Sequence, residues 1–183
     1  MKNNLELKAM AKKIKLMAFD VDGVMTNNTL IFDENGVEYK VFNGKDGQGI
    51  ELIIKAGIIP AIISKRNNGT LVHRAKVLGI TELHLGQKNK IEVLDEIIAK
   101  YGFSYDEVAY MGDDLPDICV LERVGLPCCP LDAIEEVKEV AKFVSIKNGG
   151  EGAVRELCEF VLKSKSLDLR TLLETPAKVK CGT

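Results

Sequence analysis

The residues able to do chemistry in this chain fall into four short groups, each at the end of an apolar run or the start of a helical pattern. Asp20 and Asp22 close the apolar stretch 14–19 and are followed by Gly23. Ser64 closes the stretch 58–63, Lys90 opens a helical pattern after Gly86, and Gly112-Asp113-Asp114-Leu115-Pro116-Asp117 follows the stretch 108–111. Taken singly, each has a plain structural account: an Asp-Gly turn, a serine cap, a solvated lysine, an aspartate N-cap. Taken together they supply a carboxylate nucleophile, an acid/base, two groups that could hold a phosphate, and an acidic metal site. Residues two apart in an extended or turning segment point the same way, so Asp20 and Asp22 can address one phosphoryl group.

For these groups to meet, the elements carrying them must end on one edge of one fold. Short apolar runs at 14–19, 58–64, 83–85, 108–111, 126–128 and 143–146 predict strands. The patterns at 69–78, 90–101, 115–123, 133–141 and 153–163 predict the helices between them, with a weaker helix at 4–13. That alternation predicts an α/β fold of Rossmann-like type: a parallel sheet with helices on both faces and right-handed crossovers. Loops at the carboxyl ends of such strands share one crevice. Two β-prone runs, 29–32 and 37–42, flank Asp33-Glu34-Asn35-Gly36 and predict a β-hairpin inserted after strand 1. Asp46-Gly47-Gln48-Gly49 then opens a further helix closed by Gly57. The expected layout is one domain over 1–163 and a polar tail over 164–183.

The chain has 183 residues, a formal net charge of -2 and no basic block, which argues against a nucleic-acid surface. No apolar run approaches the length of a membrane span, and the N-terminus lacks the pattern of a secretory signal. Five cysteines without Cys-x-x-Cys spacing suit a reducing, cytoplasmic setting better than a disulfide framework.

The ordered set Asp20-x-Asp22, Ser64, Lys90 and Gly112-Asp113-Asp114-x-x-Asp117 resembles the haloacid dehalogenase-like phosphatases, over about residues 14–162. The resemblance implies that Asp20 attacks phosphorus to form an aspartyl-phosphate, and that Asp22 protonates the leaving oxygen and then activates water. It implies Mg²⁺ on the Asp20 carboxylate, the Asp22 backbone carbonyl and the Asp113 carboxylate, as charge balance between Asp20 and a phosphate dianion requires. It assigns Ser64 and Lys90 to the phosphoryl oxygens and the negative charge, and Asp114 and Asp117 to orienting Lys90 and metal-bound water.

No cap domain fits between Asp20 and Ser64 or between Lys90 and Asp113. This layout is similar to the capless phosphatases resembling 3-deoxy-D-manno-octulosonate 8-phosphate (KDO 8-phosphate) phosphatase, which are homotetramers joined through their hairpins. Asn43-Gly44-Lys45-Asp46-Gly47 matches a loop that usually reads Asn-x-Arg-Asp-Gly, and residues 148–156 match a C-terminal signature. By resemblance Asn43, Gly44, Lys45, Asp46, Gly47, Arg66 and Arg74 bind the sugar acid and its phosphate, with Asp22, Ser64 and Lys90. Arg74 also reads as an exposed helix charge. Two positions depart from the pattern: Lys65 replaces a glycine, and Lys45 replaces an arginine whose planar fork it cannot reproduce.

The expected activity is therefore a Mg²⁺-dependent phosphatase for a phosphorylated sugar acid, KDO 8-phosphate foremost, with nonulosonate 9-phosphates as the alternative. A receiver-like phosphoacceptor domain joins similar residues around Mg²⁺ but places its acidic pair before its acceptor Asp. Multiple turnover separates the two.

Overall fold

The computed structural model describes residues 2–174. Helix α1 (Lys2–Lys13) leads into β1 (Leu16–Phe19), whose four residues are all buried. A small antiparallel ribbon follows, β2 (Ile31–Phe32) paired with β3 (Glu38–Tyr39). The chain then alternates: α2 (Gly44–Lys55), β4 (Ile59–Ile63), α3 (Gly69–Leu78), β5 (Glu82–His84), α4 (Lys90–Tyr101), β6 (Val108–Met111), α5 (Ile118–Leu121), β7 (Leu126–Cys129), α6 (Glu135–Val140), β8 (Phe143–Val144), α7 (Ala153–Ser164) and α8 (Leu169–Glu174).

Six strands form one parallel sheet in the order β5-β4-β1-β6-β7-β8. The expected α/β fold is present, with the inserted hairpin as a separate two-stranded sheet. β1 lies between β4 and β6, with Phe19 level with Ile62 on one side and Met111 on the other. The chain runs outward from β1 through β4 to β5, then crosses back to β6, so the order reverses beside β1. The Asp20, Ser64 and Asp113 loops all leave carboxyl ends at that reversal, where α/β sheets open a crevice.

Alternation along β1 divides the core in two. Met17 and Phe19 pack with residues of α2 and α7, while Leu16 and Ala18 pack with α4 and α5 on the other face. A strand buried on both faces must be apolar throughout, as Leu-Met-Ala-Phe is. α2 and α7 approach closely: a methyl group on Gly49 would sit 3.1 Å from the Arg155 Cα.

Several boundaries differ from the pattern reading. The hairpin strands shrink to two residues each, because the chain beyond Tyr39 turns inward and carries Lys40 toward Asp22. Over 115–123 the helix is broken into a 3₁₀ turn (Leu115–Asp117) and the short α5, since the Asp114–Asp117 capping box and Pro116 impose a tight start. Helix 133–141 begins later, at Glu135, after a turn in which the Ala133 N–H donates to the Pro130 carbonyl. Part of the expected polar tail is helical: in α8, Leu172 is buried and packs against the core, and Lys55 donates to the Leu173 carbonyl at 2.7 Å. Residues 175–183 of that tail, with Cys181, lie outside the described residues. Cys119, Cys128, Cys129 and Cys158 are free thiols.

Candidate active site

Asp20 follows the last residue of β1, and its N–H donates to the Met111 carbonyl at 3.0 Å, which ties the loop to β6. Its carboxylate is oriented from two sides. Oδ1 accepts from the Val21 N–H at 2.7 Å, and Oδ2 lies 2.9 Å from Lys90 Nζ. Lys90 is the first residue of α4 and only 3% exposed. Burial alone would lower its pKa, but the charges of Asp20 and Asp117 outweigh it and hold the ammonium form.

Asp117 is fully committed. Oδ1 accepts from Lys90 at 2.7 Å and from the Tyr110 hydroxyl at 2.6 Å, while Oδ2 accepts from the N–H groups of Asp113 and Asp114 at 3.0 and 3.3 Å. It thus bonds Lys90 and also holds the backbone of the acidic loop. Asp114 does not share that role: it is exposed, and its carboxylate accepts from the Leu115 N–H at 2.8 Å as the cap of the 3₁₀ turn.

Carboxylate oxygens of Asp20, Asp113 and Asp117 come within 4.8 Å of one another. Asp117 has spent its lone pairs on four donors, so Asp20 and Asp113 are the two free to hold a cation. Asp113 fits that purpose closely. Its Oδ1 is buried without a hydrogen-bond partner, and burial followed by the Asp20 charge pushes its pKa up to about 8. Asp20 is raised to about 6, mainly by burial and against the pull of Lys90. Two carboxylates desolvated beside each other, one with an orphaned oxygen, make a donor set that an oxygen-loving dication would satisfy. Space is reserved for it: Gly23 has φ +85°, and a Cβ there would fall 1.9 Å from Asp113 Oδ2.

Asp22 sits in a different setting. Its Oδ1 accepts from Lys40 in a short contact, and its Oδ2 lies 3.6 Å from Arg66 Nε. Lys40 also donates to Glu38 Oε1 at 2.9 Å, and Arg66 Nη1 lies 3.2 Å from that same oxygen. The four side chains close a ring of alternating charge over the acid/base candidate. Asn68, the N-cap of α3, donates to Glu38 Oε2 at 3.2 Å. These contacts hold Glu38 below the usual carboxylate range, the Lys40 hydrogen bond contributing most. Neither Lys40 nor Glu38 stands out in the sequence, where both read as the polar positions of an alternating hairpin strand. Tyr110 is likewise hidden inside an apolar run; only its hydroxyl marks it as needing a polar partner when buried.

Ser64 follows β4 and is 1% exposed, with its N–H on the His84 carbonyl at 2.9 Å. Its hydroxyl accepts from the Arg66 N–H at 3.2 Å, which couples the serine to the Arg66 turn. Lys65 between them is exposed.

The 43–47 stretch is the start of α2 rather than a free loop. Asn43 caps the helix by accepting from the Lys45 N–H at 2.8 Å and donates to the Gly150 carbonyl at 3.2 Å. Gly150 in turn donates to the Val24 carbonyl, and a Cβ on Gly149 would lie 1.8 Å from the Gly23 oxygen. The 148–156 signature therefore braces the Asp20–Thr26 loop through backbone contacts that only glycine permits. Gly44 and Lys45 are exposed and remain open to a ligand. Asp46 and Arg74 face inward rather than standing open, and each keeps one buried polar atom, Asp46 Oδ2 and Arg74 Nε, without a hydrogen-bond partner. Asp46 is 2% exposed and accepts from the Arg155 N–H at 2.8 Å, where it caps α7. Arg74 is half-buried, packs 5.7 Å from the Phe42 ring centroid, and crowds Gly47, where a Cβ would meet its Nη2 at 2.3 Å.

Among the described residues no helix is long and apolar enough to cross a membrane. The family model for haloacid dehalogenase-like hydrolases matches residues 59–157. The Yersinia pestis 3-deoxy-D-manno-octulosonate 8-phosphate phosphatase KdsC is 41% identical over 152 residues, covering 83% of this chain and 81% of its own. The Moraxella catarrhalis 3-deoxy-D-manno-octulosonate 8-phosphate phosphatase, solved in complex with magnesium, phosphate and KDO, superposes with a TM-score of 0.89 at 36% identity, covering 93% of this chain and 97% of that one. A cobalt-bound form of the Haemophilus influenzae enzyme of this type gives 0.83 at 32% identity, over 86% and 92% of the two chains. These likenesses leave no room for the receiver-like reading. The chain belongs to the haloacid dehalogenase-like hydrolases, among the phosphoric monoester hydrolases of the KDO 8-phosphate phosphatase family.

Proposed function

We propose that the chain is a Mg²⁺-dependent phosphatase that converts KDO 8-phosphate to KDO and phosphate, with residues 1–163 as its catalytic domain. The observation that carries the chemistry is the Asp20 carboxylate, oriented by Val21 and Lys90 beside the orphaned oxygen of Asp113. The substrate is carried over from the relatives' names, supported by the open Gly44–Lys45 end of α2 and by Arg66, an exposed guanidinium able to pair with a carboxylate.

Asp20 attacks phosphorus as the ester P–O bond breaks, and Asp22 gives its proton to the departing sugar oxygen. A water then gives a proton back to Asp22 and attacks the phosphoryl-aspartate, releasing phosphate and restoring Asp20. Lys90 holds positive charge at the Asp20 oxygen throughout, and Ser64 would donate to a phosphoryl oxygen. Asp20, Asp113 and the Asp22 carbonyl would hold Mg²⁺, which when bound offsets the repulsion between Asp20 and the phosphate.

We further propose a homotetramer joined through the hairpin. Phe32, Val37, Tyr39 and Val41 are all more than half exposed there, an apolar surface larger than isolated side chains would make.

The test is phosphate release with Mg²⁺ from KDO 8-phosphate, nonulosonate 9-phosphates and simple sugar phosphates. KDO 8-phosphate is expected to lead in kcat/KM, and Asp20→Asn to be inactive on all. Equal, poor rates on every ester would sink the substrate assignment.

A further inference from the structure

We infer that Lys40 is a positioning residue for the acid/base: the hairpin lysine fixes the Asp22 carboxylate in the orientation from which it passes its proton to the leaving oxygen. This rests on the reading of Asp22 as the acid.

Lys40 is an unusual lysine. It follows a two-residue strand on a surface ribbon, yet its side chain is 2% exposed. A lysine stem normally lets its ammonium reach water, and burying that charge requires compensation on nearly every side. Here the compensation is specific: Nζ bonds Asp22 Oδ1 and Glu38 Oε1. Glu38 is itself fastened by Arg66 and by Asn68 at the start of α3. Lys40 is thus held from behind by a carboxylate that Arg66 and Asn68 also bind, and its remaining reach ends on the one carboxylate that must transfer a proton. Val21 and Lys90 orient the Asp20 carboxylate, while Lys40 and Arg66 are the groups the structure sets against that of Asp22. Arg66 lies farther away, at 3.6 Å, and is 43% exposed, so a ligand anion can draw it off; Lys40 is enclosed and stays.

A group that positions an acid matters in proportion to how badly the leaving group needs a proton. An alkoxide leaving from a sugar phosphate needs one; p-nitrophenolate leaves nearly unaided. In the full-length enzyme with saturating Mg²⁺, Lys40→Met is expected to lower kcat on the sugar-acid phosphate by about 10- to 100-fold, a share of the 10²- to 10⁴-fold that acid catalysis supplies. On p-nitrophenyl phosphate the same variant should lose less than about 3-fold, with KM little changed, and Lys40→Arg should restore much of the loss. Asp22→Asn, run alongside, should show the same leaving-group selectivity more strongly. Parallel losses on both esters for Lys40→Met, with Asp22→Asn still selective, would overturn the role of Lys40 alone. Parallel losses for Asp22→Asn would overturn the acid reading and this inference with it. Circular dichroism checks that the variant is folded; if Lys40→Met is not, Lys40→Ala, which also removes the donor and places less bulk in the enclosed site, is read in the same way.

Discussion

Asp46 accepts a hydrogen bond from the backbone N–H of Arg155, 109 residues away, and so caps a helix whose own N-cap, Gly152, has no side chain to offer. One buried carboxylate thereby joins the start of α2 to the start of α7. Replacing a capping side chain with Ala costs about 1–2 kcal/mol, which for a chain of this size lowers Tm by roughly 2–8 °C. Asp46→Ala should show that loss, while Asp46→Asn keeps an oxygen acceptor and should recover most of it with KM unchanged. Thermal unfolding and KM on the same preparations check both; a raised KM with unaltered Tm in Asp46→Asn would return this side chain to the substrate.

Gly23 lies at a tight point of the candidate metal site, beside Asp113. Gly23→Ala meets two obstacles, a left-handed backbone and a Cβ 1.9 Å from Asp113 Oδ2. The carboxylate is the softer partner and should be pushed aside. Mg²⁺ affinity is expected to fall by about 10- to 100-fold, the scale seen when groups supporting a metal ligand are disturbed, beside a loss of about 1–2 kcal/mol of stability in the metal-free protein from the left-handed backbone. Calorimetric Mg²⁺ titration is the measurement.

The pH dependence of the metal-free protein follows from Asp113 and Asp20. Their pKa values, raised to about 8 and about 6 from 3.8, mean that the folded state holds protons the unfolded state has already lost. Stability contributed by their protonated forms is complete below pH 3.8 and declines as pH rises through 6 and 8. In EDTA, Tm should therefore fall between pH 5 and pH 8, above the range in which Glu38, Glu107 and Glu159 with lowered pKa values gain their charge. Adding Mg²⁺ should flatten that decline and release protons at neutral pH, which titration in buffers of different ionisation enthalpy would register.

The hairpin surface gives a separate expectation. Phe32→Ser with Val37→Ser removes two of its exposed apolar side chains and leaves Lys40 in place. Light scattering behind size exclusion should show the assembly reduced to dimers or single chains, with little change in the stability of the protomer, since exposed positions away from packed features rarely matter by more than about 0.5 kcal/mol. An unchanged tetramer, or a wild-type protein that is monomeric, would refute the hairpin as the joint.

Much of this site is legible without a structure because of where its residues fall. Asp20, Ser64 and Asp113 each interrupt a strand-length apolar run at its end, and a parallel sheet converts that position along the chain into proximity in space. Lys90 is legible as a helix start. Lys40 and Glu38 are not, because a hairpin folded back over the loop is a tertiary event, and alternating polar residues on a short strand ordinarily face water. Asp46 fails in the other direction. It lies within a stretch that resembles a ligand loop, yet its Oδ1 is taken by α7, a partner whose start no local pattern connects to residue 46, while Oδ2 is left without a hydrogen-bond partner. The short hairpin strands and the broken helix at 115–123 reflect the same limit, since Lys40 and the Asp114–Asp117 box are drawn to groups distant in sequence or folded back on their own turn.

β1 is hydrogen-bonded on both sides, by β4 and β6, and neither of those is an edge strand. Fraying therefore begins at β5 and β8 and must pass through a neighbour before it reaches Leu16–Phe19. The amides of β1 should exchange with deuterium only through global unfolding, whereas those of the hairpin in an unassembled protomer should exchange through small local openings. The proposed nucleophile would thus be anchored to the strand that opens last, and the proposed acid/base faces a ribbon that belongs to a separate sheet.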